Sequence, residues 1–128
     1  MNEDKRPPRV EPKVKAAPRI RQVYWCKLPD DAQLPEFWKT RPVVVMSKKT
    51  TLRGKVTVLP MTTKAQPDNP YAHPMDSPLE LGKSSWVICD HFMTVAVSRL
   101  VPHRQNIPRI SQEDLEEIKR LALLSLPY

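Results

Sequence analysis

Pro42-Val43-Val44-Val45-Met46, then a turn-rich connection over 48–54, then Lys55-Val56-Thr57-Val58-Leu59-Pro60 form the stretch that decides the fold. The first run is apolar throughout and opens on proline, which predicts a short strand buried on both faces. The second alternates and predicts a further strand, closed by Pro60. On the N-terminal side, Gln22-Val23-Tyr24-Trp25-Cys26-Lys27-Leu28 is β-branched and aromatic and stops at Pro29-Asp30-Asp31, so it predicts a first strand. The polar loop from there to Arg41 is long for a connection, and such loops are often functional. Phe37 and Trp38 within it are expected to anchor it to the body. On the C-terminal side, residues 64–84 carry Pro67, Pro70, Pro74 and Pro78 and read as loop, with one short strand around Tyr71–Met75. Ser85-Trp86-Val87-Ile88-Cys89 and Thr94-Val95-Ala96-Val97 predict two more strands.

The end of the chain changes character. Ser111-Gln112-Glu113-Asp114 has the form of a helix N-cap with acids in the first turn. Leu115, Ile118, Leu121, Ala122 and Leu124 then recur near helical spacing until Pro127 stops them. Five or six short strands followed by one helix predict a mainly β protein: a small barrel with the helix over one opening or edge.

Composition agrees. At 128 residues the chain suits one domain. Fifteen prolines against two glycines argue against a mainly helical protein, because proline breaks helix interiors. No apolar run approaches the ~20 residues of a membrane-spanning helix. The start lacks the apolar stretch of a secretory signal, so a cytoplasmic location is expected. Two cysteines exclude a disulfide scaffold.

The net charge is +7, of which residues 1–21 hold +4. A polyanionic partner fits this balance. Residues 1–20, rich in proline and lacking aromatics, predict a disordered or extended arm, with 21–128 as the folded domain. The arm reads either as a solvated tail or as a basic arm for nucleic acid. Its deletion is expected to leave the fold intact.

Generic catalytic patterns are absent. Two isolated glycines make no phosphate loop, and neither H-E-x-x-H nor C-x-x-C occurs. Cys89-Asp90-His91 could suggest a metal or thiol site, but both cysteines lie in apolar strands, where a thiol behaves as a small hydrophobe. What remains are polar residues at strand ends: Arg41, Thr62, Thr63, Asp90 and His91. If the strand ends converge on one rim, this set suits a phosphodiester. Arginine pairs phosphate oxygens, and a carboxylate or imidazole moves protons. Singly, Arg41 equally reads as half of a surface ion pair, and Thr62 and Asp90 as turn residues.

Four blocks in order make the chain similar to the PemK/MazF family of toxin endoribonucleases. They are Val23-Tyr24-Trp25 through Leu28; Glu36 ahead of Arg41-Pro42-Val43-Val44-Val45-Met46-Ser47; Val56 to Thr63; and Ser85 to His91 with Thr94-Val95 and Ser98-Arg99-Leu100. The resemblance implies a compact SH3-like barrel, a homodimer, and single-stranded RNA bound along the dimer face. It implies sequence-specific cleavage without metal or other cofactor. The RNA's 2′-hydroxyl attacks, leaving a 2′,3′-cyclic phosphate and a 5′-hydroxyl. It implies an antitoxin partner whose disordered tail folds across the RNA groove, with DNA engaged only through the antitoxin complex. Carried over by position, Arg41 contacts the scissile phosphate, Thr62 orients it with Thr63 beside it, and Asp90 matches a carboxylate proposed as base. Glu36 matches a loop residue that positions the loop or partner subunit.

The departures are Ile88, where some members place an arginine proton donor, Pro35 in place of histidine, and His91 where glutamine is common. Strand alternation would set Trp86, Ile88 and Asp90 on one face, with Trp86 stacking a base or packing in a dimer interface. His91, His73 and water are the candidate acids. Two other functions stay open: a weak or inactive barrel that only binds RNA, and a protein-interaction module.

Overall fold

Neighbouring residues of the first two strands enter two different cores. In the computed structural model, which describes residues 6–28, 32–34, 39–75, 84–102 and 106–127, β1 is Val23–Cys26 and β2 is Arg41–Val45. Val23 and Val44 join one core, while Tyr24, Cys26, Val43 and Val45 join the other. The side-chain period of two thus explains why 42–46 is apolar at every position: both faces of β2 are covered.

The remaining elements are β3 (Lys55–Thr62), β4 (Ala72–Pro74), β5 (Trp86–Ile88), β6 (Met93–Ala96), a 3-10 turn (Val97–Arg99), β7 (Leu100–Pro102) and helix α1 (Gln112–Leu124). The strands form a seven-stranded sheet in the order β4-β5-β3-β2-β1-β7, with β6 also on β3, and every described pairing is antiparallel. No helix of the described residues is long and apolar enough to cross a membrane.

β3 runs past Pro60, where the sequence predicted an end. Its outer edge pairs with β6 over Lys55–Val58 and with β5 at Met61 and Thr62. The Thr57 carbonyl accepts from Met46 N at 2.9 Å on the β2 side. By alternation, the missing N–H of Pro60 faces the outer edge, at the switch between partners, where no ladder bond is lost. β7 was not foreseen; its three residues end on Pro102, which an edge strand tolerates.

Helix α1 starts as expected. Ser111 Oγ accepts from Asp114 N at 3.0 Å, and Glu113 and Asp114 occupy the first turn. Leu115, Ile118 and Ala122 are buried over the core of Val23, Val44, Leu59 and Met61. Leu124, which the spacing placed on that face, is 55% exposed.

Residues 6–20 form no helix or strand, yet from Glu11 onward they are seated on the body. Val14 is buried in the second core beside Tyr24 and Leu28. Thr50 Oγ1 donates to the Pro18 carbonyl, Lys13 Nζ to Ser98 O at 3.2 Å, and Arg53 pairs with Glu11. Arg21, at φ 77°, turns the chain into the sheet; its N–H donates to Val45 O and its Nε to Ile110 O, each 2.9 Å. Two hydrogen bonds to buried strand and loop carbonyls hold this left-handed residue in place.

Candidate active site

The strand registers place five residues in one row across the sheet. Pro74 pairs with Trp86, Trp86 with Thr62, and Cys26 with Arg41. The β2–β3 register, Val43 opposite Pro60, continues to Arg41 opposite Thr62. Directly opposed antiparallel residues share a face. Arg41, Thr62 and Trp86 therefore lie side by side on the face away from α1. Arg41 Nη1 donates to Thr62 Oγ1 at 3.4 Å, and Lys64 N donates to the same oxygen at 3.1 Å.

These contacts define what the pair can offer. Thr62 is buried, and its oxygen accepts twice, so its hydroxyl hydrogen is the group left to donate to an incoming anion. Arg41 is half-buried, and burial pulls its pKa below the ordinary arginine value. It stays a guanidinium, whose planar N–H donors match phosphate oxygens. A cation and a hydroxyl donor, held by two adjacent strands with little side-chain freedom, can clamp a phosphate. Thr63 and Lys64 are exposed immediately beyond. Lys64 was not singled out from the sequence; a basic residue directly after two threonines at a strand end was its signal.

Asp90 and His91 stand in the turn after β5, Asp90 exposed and His91 half-buried, four and five residues past Trp86. The structure brings Arg41, Thr62 and Trp86 together and sets Asp90 and His91 at the far end of β5. Glu36, Pro35, Phe37 and Trp38 lie outside the described residues. His73 belongs to the opposite face. It pairs in register with Val87, and its Nε2 meets Asp114 Oδ1 at 2.9 Å, tying β4 to α1. That contact removes His73 from the candidate acids at this rim. Ile88, at the position of the expected arginine, is 7% exposed.

Neither thiol is a nucleophile. Cys26 and Cys89 are fully buried, and burial pushes their pKa values up to about 11 and about 12. The thiolate is the reactive form, so both are inert at neutral pH. Among the described residues, no three His, Cys, Asp or Glu side chains cluster as metal ligands would.

The fold is that of the MazF toxins. The Deinococcus radiodurans MazF structure superposes with a TM-score of 0.63 at 22% identity, covering 86% of this chain and 98% of that one. Mycobacterium tuberculosis toxin MazF-mt6 gives 0.62 at 22%, covering 84% and 100%. A mycobacterial endoribonuclease in complex with its cognate antitoxin gives 0.60 at 18%, covering 88% and 99%. No curated protein sequence matches the chain. The family model for the PemK-like, MazF-like toxin of type II toxin-antitoxin systems matches residues 19–126, and the chain belongs to that family.

Proposed function

We propose that this chain is a sequence-specific endoribonuclease toxin that cuts single-stranded RNA, neutralised by a cognate antitoxin. The observation that carries the reading is the Arg41–Thr62 pair, joined at 3.4 Å in one cross-strand row with Trp86 beside it. Family membership and the endoribonuclease among its structural neighbours support it.

In this reading the RNA's 2′-hydroxyl oxygen forms a bond to the adjacent phosphorus. The bond from phosphorus to the 5′-oxygen breaks, leaving a 2′,3′-cyclic phosphate and a 5′-hydroxyl. The attacking hydroxyl supplies the nucleophile, which suits a rim without a reactive thiol. Arg41 stabilises the negative charge that builds on the phosphoryl oxygens, and Thr62 donates to one of them. Water takes the 2′-proton and returns one to the leaving oxygen, since Asp90 and His91 stand at the far end of β5 and His73 is held by Asp114. Glu36 positions its loop or the partner subunit, and Trp86 stacks a base, a contact worth ~1–3 kcal/mol. The chain acts in the cytoplasm as a homodimer and needs no metal.

The test is cleavage of a long single-stranded RNA with EDTA present. Wild type is expected to cut at restricted sequences and leave cyclic phosphate ends. Arg41→Ala should cut about 10²–10³ slower, the usual cost of losing one charge-stabilising donor. A folded wild type that binds RNA without cutting favours the second reading, a barrel that only binds RNA, for which Ile88 at the expected arginine position is the specific observation.

A further inference from the structure

A cavity of about 410 Å³ lies between the N-terminal segment and the β1–β7 edge of the sheet. One wall is residues 13–17, which precede the segment that matches the family model, while Arg19, Gln22, Tyr24, Pro102, Ile107 and Arg109 lie within it. Lys13, Lys15, Arg19 and Arg109 stand around it, and no acidic residue is among the described residues that line it. Among the described residues, the side chains of Lys15, Arg19 and Arg109 make no ion pair or hydrogen bond. Four exposed cations grouped around one hollow set up a positive potential that favours an anion.

Val14, Ala16, Ala17, Pro102 and Ile107 give the lining its apolar surface, and Gln22 and Tyr24 complete it. Gln22 Oε1 accepts from Arg19 N at 2.7 Å and from the Tyr24 hydroxyl at 3.0 Å, joining the N-terminal segment to β1 beside the cavity. An apolar wall with cations grouped beside it, in a volume suited to a small ligand, matches a nucleotide: a flat base and sugar with one phosphate.

We propose that the cavity binds one nucleotide of a single-stranded RNA, with its phosphate held by Lys15, Arg19 and Arg109 and its base and sugar against Val14, Ala17 and Ile107. The proposal rests on the endoribonuclease reading for the choice of RNA. The cavity lies along β1 toward Gln22, whereas Arg41 pairs with Cys26 at the other end of that strand. It therefore serves as a second grip on the substrate, outside the bond that is cut.

Binding is measured by fluorescence anisotropy with an oligoribonucleotide of about ten nucleotides, within the usual span of a single-strand groove. The Arg41→Ala protein is the background, so that cutting is slow over the time of the measurement. Lys15→Gln, Arg19→Gln and Arg109→Gln combined should weaken binding on the order of tenfold. They should also flatten the log–log salt slope by about 0.7 for each phosphate that is no longer neutralised. Arg6→Gln, Arg9→Gln and Lys48→Gln remove the same charge from exposed positions outside the cavity and should change affinity less than twofold. Ala17→Trp, which fills the cavity with every charge retained, should weaken binding like the first set. Circular dichroism melts confirm that each variant folds.

Equal affinity in the cavity variants, or equal weakening in the surface-charge control, overturns the proposal. So does 5′-AMP binding as tightly as the oligonucleotide, which would make the cavity a mononucleotide receptor. Poly-glutamate binding tighter than RNA, abolished in the cavity variants, also overturns it and identifies a protein partner. With Arg41 restored, the cavity variants should raise KM for long RNA and leave kcat unchanged. Failure of the endoribonuclease reading shows separately, as no cutting by wild type.

Discussion

Thr62 is placed by the register of three strands and committed by its hydrogen bonds. Its oxygen accepts from Arg41 and Lys64, so replacing it tests both the clamp and the local chain path. Thr62→Val keeps the shape and leaves the exposed Lys64 N–H to water, at a cost of about 0.5–1.5 kcal/mol. RNA cutting should fall on the order of tenfold or more, while the protein stays folded. Thr62→Ser keeps the oxygen and should retain most of the rate. Equal rates for wild type and Thr62→Val would remove the hydroxyl from the chemistry. The residues themselves were legible from their positions at strand ends. Their adjacency was not, because it depends on Val43 facing Pro60 rather than a neighbour one step along. A one-residue slip would have turned Thr62 toward the helix. The role of His73 was hidden for the same reason: its partner, Asp114, is 41 residues away on α1.

At the scale of elements, the runs of Val and the alternation at 55–59 gave strands because burial on a pleated face demands those patterns. Helix α1 was legible from its cap and spacing. Pro60 misled because a missing N–H ends a strand only where a partner strand needs it. The N-terminal segment misled more. Val14, set among charged and proline residues, carries no periodic signal, and its burial depends on a groove built by β1 and the 3-10 turn. Val14 is 6% exposed, and burying such a side chain contributes about 1.5–3 kcal/mol. Deleting residues 1–20 also removes the Pro18 carbonyl that Thr50 engages. The deletion, which from sequence alone should be silent, is now expected to lower Tm by roughly 5–15 °C at about 3–5 °C per kcal/mol, between the values for smaller and larger domains. Val14→Asp should do much of this alone. A thermal melt unchanged by either would show that the seat of Val14 adds nothing to stability.

For the molecule as a whole, the +7 charge matters less than where it is held. Residues 1–10 contain Lys5, Arg6 and Arg9 but also Glu3 and Asp4, so their removal takes away a single net charge. Residues 13–21 hold Lys13, Lys15, Arg19 and Arg21 without an acid, and three of these four line the cavity. Counterion release depends on cations that neutralise phosphates, not on net charge summed over a chain. A protein lacking residues 1–10 keeps Val14, Pro18 and the cavity wall. It should therefore melt within about 2 °C of the full chain, a difference below 1 kcal/mol for a domain of this size. Its affinity for single-stranded RNA and its salt slope should match those of the full chain, the slope within about 0.7, the contribution of one neutralised phosphate. A slope flattened by twice that amount or more would move the grip on RNA from the cavity to the first ten residues. An unchanged slope here, together with a flattened one in the Lys15, Arg19 and Arg109 variants, would locate the electrostatic hold where the chain folds back onto its sheet.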